Sequence, residues 1–261
     1  MNFINKIGNT PLVLFPLNLN GNRFYLKLEN QNPTLSLKDR GALSIIQELE
    51  KKYGDELVKK EIIESSSGNM AISLAMICWI KGYNFTAIMD HHSSIIKKLE
   101  IESYAGKIDI VDSSKLKENQ VGTVERQNYA RMLVEEGNGK VVFCDQLNNK
   151  ANFLANTVLG KEIWEQADGK LDYLFGPIGS GASLGGAAKF LSGKKEKIKI
   201  IASEPVGSVI FGRKAEPYYQ SGSGMPSKET IGNNLKRAKN IFEKMIVWLF
   251  QILMHLQQQF S

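Results

Sequence analysis

Short apolar segments alternate with longer segments of helical periodicity along most of this chain. Strands are predicted at residues 23–28, 61–64, 85–89, 108–111, 141–144, 171–175 and 198–202. Helices are predicted at residues 37–53, 70–81, 94–105, 121–136, 156–167 and 184–191. Strands that alternate with helices in this way form parallel sheets covered by helices. The sequence therefore predicts an α/β fold with a mostly parallel sheet.

Composition narrows the class of protein without deciding its chemistry. The chain has 261 residues, of which 43% are hydrophobic and 23% are charged, as in globular proteins of one or two domains. Its 33 basic and 27 acidic residues give a net charge of +6. The basic residues are scattered and lack an interleaved aromatic pattern. We therefore expect small anionic ligands rather than nucleic acid as partners.

The sequence predicts no metal site, no disulfide and no membrane-spanning segment. Cys78 and Cys144 are far apart and lack the spacing of zinc ligands or of a disulfide framework. His91 and His92 follow a predicted strand without further ligand residues, which favours exposed histidines. The apolar run at 241–256 is too short and too interrupted for a membrane span, which needs about 20 residues. Since the N-terminus has no signal-peptide pattern, the predicted location is the cytoplasm.

A lysine stands where an extended segment turns into a predicted helix. Pro33 keeps Asn32 away from helical dihedral angles, and Ser36 can cap the helix that follows. Lys38 then lies in the first turn, where the helix dipole disfavours an ammonium group. Either the charge is solvated and paired with Asp39, or a Schiff base with an aldehyde cofactor removes it. This stretch alone leaves both interpretations open.

Two further loops carry polar groups at predicted helix starts. Residues 65–69 follow a strand, and their hydroxyl and backbone N–H groups make either a site for a carboxylate or phosphate or a simple helix cap. Residues 179–183 precede another helix, and their small side chains let backbone amides approach a phosphate. The same pattern is also typical of an ordinary tight turn that binds no ligand.

Two sharper motifs fit this last loop poorly. The dinucleotide fingerprint GxGxxG needs a glycine where Leu184 stands. Residues 181–185 match the GxSxG motif of a hydrolase, which requires its serine directly after a strand. The predicted strand, however, ends near Phe175, well before Ser183. The only downstream histidine, His255, lies in an apolar run, so a serine hydrolase is a poor alternative.

Four motifs, taken together, resemble one family. They are residues 7–12 (IGNTPL), 32–40 (NPTLSLKDR), 66–69 (SSGN) and 179–183 (GSGAS). In order and spacing they are similar to the pyridoxal-phosphate-dependent cysteine synthase and cystathionine β-synthase family, of fold type II. The resemblance covers the chain from about residue 5 to about residue 224. It implies a two-domain, three-layer αβα fold like that of the tryptophan synthase β subunit. A larger cofactor-binding domain would comprise 1–38 and 144–261, and a smaller mobile domain 39–143.

The resemblance also implies roles for individual residues. Lys38 is expected to bind the cofactor covalently and Asn69 to hydrogen-bond the hydroxyl group of its ring. The expected phosphate cradle consists of Gly179, Ser180, Gly181, Ala182 and Ser183. The residues expected to contact the substrate carboxylate or its loop are Ser66, Ser67, Met70 and Gln146.

The implied reaction is a β-replacement on an O-activated L-serine, through an aminoacrylate intermediate and with ping-pong kinetics. The donor would be O-acetylserine or O-phosphoserine, and the nucleophile sulfide or an amino acid such as glutamate. Residues 63–82 and 207–212 are more similar to the siderophore-pathway branch, which joins O-phosphoserine to glutamate. The resemblance also implies a homodimer.

The sequence departs from the family at three places. Met70 stands where a threonine is common, and Ala182 replaces a frequent glycine. After about Gly224 the similarity fades, and the chain ends short of the family's usual length, which predicts a larger domain truncated at its C-terminus. An inactive relative, acting as a binding protein or fragment, is therefore the alternative to an active enzyme.

Overall fold

The computed structural model describes residues 3–91, 93–112, 122–194, 198–218, 220 and 222–242, and it shows an α/β protein. Its strands are β1 (Leu12–Leu19), β2 (Asn22–Lys27), β3 (Glu61–Ser65), β4 (Asn84–Met89), β5 (Lys107–Ile110), β6 (Val141–Phe143), β7 (Tyr173–Pro177) and β8 (Lys199–Ser203). Its helices are α1 (Lys38–Tyr53), α2 (Asn69–Lys81), α3 (Ile95–Ser103), α4 (Thr123–Glu136), α5 (Lys150–Gln166), α6 (Ala182–Ser192) and α7 (Asn233–Phe242).

A four-stranded parallel sheet lies at the centre of residues 61–143. Its strand order is β5-β4-β3-β6, and Ile62 of β3 pairs with Phe85 of β4 and Val142 of β6. The central strand β3 is apolar and buried, as expected for a parallel strand covered on both faces. The buried helix α2 packs against α1. Because the strands are parallel, the loops at 65–69 and 144–149 begin at the same edge of this sheet.

The remaining strands form two separate pairs. β7 and β8 are parallel, whereas β1 and β2 form an antiparallel hairpin. Helices α5 and α6 meet through close backbone contacts. A Cβ atom on Gly186 would lie 2.4 Å from the Phe153 carbonyl oxygen, and one on Gly160 would lie 2.5 Å from that of Ala187. Glycine alone allows these approaches, and they hold α6 directly against α5.

The predicted elements agree with the structure within two residues at each end, with one exception. The helix predicted at 156–167 is too short, because α5 begins at Lys150. Its N-cap is Asn149, whose side-chain oxygen accepts a hydrogen bond from the Ala151 N–H at 2.8 Å. The structure adds β1 and α7 to the predicted elements. His92 and the apolar run beyond residue 242 lie outside the described residues.

Among the helices that the structure describes, none has both the length and the apolar content needed to cross a bilayer.

Candidate active site

The lysine singled out by its position is the first residue of α1. Its backbone N–H donates a hydrogen bond to Ser36 Oγ at 3.2 Å, although the N-cap of α1 is Leu37 and not the predicted Ser36. Burial lowers the pKa of Lys38 below its usual value, since the charged form loses hydration. The positive end of the α1 dipole acts in the same direction. A neutral amine, able to act as nucleophile or base, is thereby favoured at this helix start.

The neighbouring carboxylate does not serve as the partner of Lys38. Asp39 is fully buried and accepts hydrogen bonds from the Thr34 backbone N–H at 2.8 Å, from the Thr34 hydroxyl and from Ser73 Oγ at 2.6 Å. Burial raises the pKa of Asp39, and these hydrogen bonds counteract the rise. Asp39 therefore joins the start of α1 to α2, and this arrangement does not support pairing with Lys38.

The loop before α2 carries the second group of predicted residues. Ser66 is buried, and its Oγ accepts the Gly68 N–H at 3.3 Å. Ser67 is half-buried, and Asn69 is exposed as the first residue of α2. Met70 differs from these, because its side chain is only 2% exposed and belongs to the hydrophobic core. It contributes packing beneath the loop rather than a polar group.

The glycine-rich loop connects β7 to α6. Gly181 is the N-cap of α6 with φ +80°, and a Cβ atom there would lie 2.6 Å from Leu235 Cα. Both the dihedral angle and the contact require glycine. Ser180 Oγ accepts the Ala182 N–H at 3.4 Å. The first N–H groups of a helix have no partners within it, so this loop is suited to an anion.

Ser183 lies inside the first turn of α6 and not at the end of β7. The strand-to-helix turn that a hydrolase nucleophile needs is therefore absent at this serine. His255, the partner considered for it, lies outside the described residues.

Gln146 lies between the lysine turn and the glycine loop. Its carbonyl oxygen accepts Asn152 Nδ2 at 2.8 Å and Asn234 Nδ2 at 3.0 Å. Asn152 reaches toward α1, because a Cβ atom on Gly41 would lie 2.1 Å from Asn152 Oδ1. Asn234 lies behind the other loop, since its carbonyl oxygen would be 3.1 Å from a Cβ atom on Gly181. Two asparagines thus connect the starts of α1 and α6 to one glutamine.

The sequence motifs missed three buried residues of this arrangement: Asn152, Asn234 and Glu64. Asn152 lies four residues before Asn156, which is also buried, so polar residues at helical spacing were an available signal. No local pattern marks the other two residues. Gln146, their partner, is 82 residues from Glu64 and 88 residues from Asn234 in the chain.

Comparison with known proteins reveals the family. The family model for pyridoxal-phosphate dependent enzymes matches residues 4–245. A putative cysteine synthase of Sinorhizobium fredii is 34% identical over 230 residues, which are 88% of this chain and 67% of that protein. Cysteine synthase B of Salmonella typhimurium is 35% identical over 217 residues, which are 81% of this chain and 68% of that protein. The crystal structure of a hydrogen sulfide-producing enzyme from Fusobacterium nucleatum matches with a TM-score of 0.83 at 30% identity, covering 100% of this chain and 83% of that one.

The chain therefore belongs to the pyridoxal-phosphate dependent enzymes, and its fold is the type II fold of the cysteine synthases. The family, the fold class and the cofactor predicted from the sequence motifs are confirmed.

The residues present fit this cofactor. Pyridoxal phosphate carries an aldehyde, a ring hydroxyl and a phosphate, which call for an amine, a hydrogen-bonding side chain and a phosphate cradle. Lys38 offers an amine with a lowered pKa, and Asn69 offers an exposed amide at the start of α2. Gly181 leaves the start of α6 free of a side chain where a Cβ atom would collide with Leu235. These are the residues that would hold the cofactor.

Proposed function

We propose that this chain is a cysteine synthase-like enzyme that performs β-replacement on an O-activated L-serine. One observation carries the proposal: Asn152 and Asn234, which lie against the start of α1 that bears Lys38 and against the loop before α6, both donate to the carbonyl oxygen of Gln146. An amine, an anion-binding helix start and an amide are the groups that binding of the cofactor and an amino acid requires. The cysteine synthase relatives support the reaction class.

Lys38 is the base that we assign to the reaction. Bound pyridoxal phosphate supplies an electron-withdrawing ring that stabilises negative charge on the α-carbon of the amino acid. Burial lowers the pKa of Lys38, which favours the neutral amine that accepts the α-proton in this proposal. Asp39 supports this role indirectly by fixing the first turn of α1 against α2.

The substrate carboxylate is assigned to the loop before α2 and to Gln146. In this proposal Ser66, Ser67 and the Gln146 amide bind the carboxylate, while the Met70 side chain forms the apolar floor of the loop. The loop at 179–183 holds the cofactor phosphate. We further propose that residues 39–143 move as a smaller domain over the substrate and exclude water from the site.

The donor is O-acetylserine or O-phosphoserine, and the nucleophile is sulfide or an amino acid such as glutamate. The cysteine synthase relatives favour sulfide. Membership of the siderophore-pathway branch, assembly as a homodimer and a cytoplasmic location stay predictions.

The experiment that tests the function begins with cofactor binding. The purified protein is incubated with pyridoxal phosphate, reduced with borohydride and digested, and the modified peptide is located by mass spectrometry. We expect the adduct at Lys38, with loss of the visible absorbance band in Lys38→Ala. Lys161→Arg, a change of an exposed lysine on α5, serves as the control and should retain both signals.

Turnover is then measured with each donor in the presence of sulfide or glutamate, and the products are separated by chromatography. Formation of cysteine or of a glutamate adduct by the wild type but not by Lys38→Ala supports the proposal and names the substrates. An adduct at another lysine, or cofactor binding without turnover of either donor, would contradict it. The second outcome would favour the inactive binding protein instead.

A further inference from the structure

A buried carboxylate lies directly behind the amide assigned to the substrate. Glu64, near the end of β3, is fully buried. One of its oxygens accepts the backbone N–H of Gln146 at 3.3 Å, and the other accepts Gln146 Nε2 at 3.2 Å. Because the Gln146 carbonyl oxygen is already held by Asn152 and Asn234, the backbone of this residue is fixed. The orientation of its side-chain amide then depends on Glu64.

We propose that Glu64 is a positioning residue, which sets through its paired hydrogen bonds whether the Gln146 amide presents its N–H groups to the substrate carboxylate. This inference rests on the proposed function for the identity of the ligand. The coupling between Glu64 and Gln146 itself rests only on the hydrogen bonds.

The hydrogen-bonding capacity of the two groups gives the direction of the effect. An ionised Glu64 only accepts, so it draws Nε2 of Gln146 toward itself and adds a negative charge behind the carboxylate site. A protonated Glu64 must donate from one oxygen, and the Oε1 atom of the same amide is its neighbouring acceptor. Rotation of the amide by half a turn satisfies this bond and turns Nε2 toward the substrate. The substrate therefore binds more tightly when Glu64 is protonated.

The charged groups around Glu64 place this change in a useful pH range. Burial raises the pKa of Glu64 to about 8, and the neighbouring charge of Asp145 adds to the rise. Arg126 of α4 acts in the opposite direction, but its guanidinium is paired with Asp90 at the end of β4. The adjacent Cys144 thiol is neutral, since burial raises its pKa.

The test has a readout that needs no catalysis. In the 15N-labelled protein without cofactor, the Gln146 side-chain amide signal is identified by its loss in Gln146→Glu, and its shift is followed from pH 6 to about pH 9.5, on either side of the expected midpoint. We expect a midpoint near the pKa of Glu64 in the wild type and none in Glu64→Gln. Glu61→Gln, at the other end of β3, is the matched control and should titrate as the wild type does.

Steady-state kinetics of the loaded enzyme form the second arm. If only the protonated form binds the donor, the wild-type KM rises about tenfold between pH 7 and pH 9. Glu64→Gln mimics the protonated form, because its own amide can donate to Gln146 Oε1. Its KM at pH 9 should therefore be about tenfold lower than that of the wild type, and Glu61→Gln should follow the wild type.

The outcomes separate this inference from the proposed function. A pH-independent amide signal in the wild type, or a KM of Glu64→Gln that rises as in the wild type, would overturn the inference. If no donor is turned over, the proposed function fails, while the amide titration still decides the coupling. Should Glu64→Gln fail to fold, Gln146→Asn removes the same side-chain bond, and its KM should lose the rise above pH 8.

Discussion

A cluster of charges behind the lysine turn gives a quantitative prediction for stability. Glu162 of α5 accepts hydrogen bonds from Arg40 Nη1 and Nη2, both at 2.7 Å, and from the Asn9 N–H at 2.9 Å. Its carboxylate also pairs with Lys27 Nζ at 2.8 Å. Arg40 lies two residues after Lys38, so these bonds anchor the start of α1 to β2 and α5. The Glu162 side chain is only 11% exposed, which limits screening by solvent.

The pKa of Glu162 supplies the magnitude. Burial alone would raise it, but the bonds from Arg40 and Lys27 lower it from 4.5 to about 2. A carboxyl whose pKa is lower in the folded state stabilises the fold above pH 4.5, and this contribution disappears as the pH falls toward 2. The difference corresponds to about 3 kcal/mol at pH 7 and about 2 kcal/mol at pH 3.5. We expect Glu162→Gln to lose these amounts in free energy of unfolding.

Urea unfolding of the wild type and the variant at several pH values between 3.5 and about 7 measures this difference. Glu165→Gln is the control on the same helix, because Glu165 is 61% exposed and its pair with Lys161 spans 3.7 Å. Its unfolding free energy should stay within about 0.5 kcal/mol of the wild type. A difference for Glu162→Gln that is the same at both ends of the pH range would refute the electrostatic reasoning and indicate lost packing.

Three further predictions concern residues in and beside the candidate site. Gly181→Ala should lower the free energy of unfolding by about 1–3 kcal/mol and abolish cofactor binding, because a Cβ atom would collide with the backbone of α7. The control is Gly212→Ala, where φ is similar but the space around the Cβ atom is open. This variant should lose less stability in thermal unfolding and still bind the cofactor. Met70→Thr should cost about 2–4 kcal/mol in urea unfolding, since it leaves a cavity and buries a hydroxyl, and an unchanged stability would show that Met70 is not packed as described. Because the pKa of Glu64 is raised to about 8, the wild type should lose stability as the pH rises from 4.5 to 8, and Glu64→Gln should flatten that slope in pH-dependent urea unfolding.

The pattern of the chain determined the local structure of this protein well. The order of strands and helices and the hydrogen bond of Ser36 to the start of α1 follow from signals within a few residues of each element. The family follows in the same way, because its motifs are short, continuous segments. The helix α5 is the exception. Asn152 and Asn156 interrupt its apolar pattern; their spacing of four residues was the one local signal of a shared face, and the packing of the neighbouring helices shows that this face is buried.

The tertiary structure alone decided how the predicted loops work together. Asp39 pairs with Thr34 and Ser73, which argues against the pairing with Lys38 that the sequence had left as one of two interpretations. Gln146 meets Glu64 and Asn234 across 82 and 88 residues of chain. Such contacts leave no local pattern, because a buried amide or carboxylate finds its partner only after the sheet and the helices have packed. The sequence therefore indicated which residues carry the chemistry, and packing decided which buried groups position them.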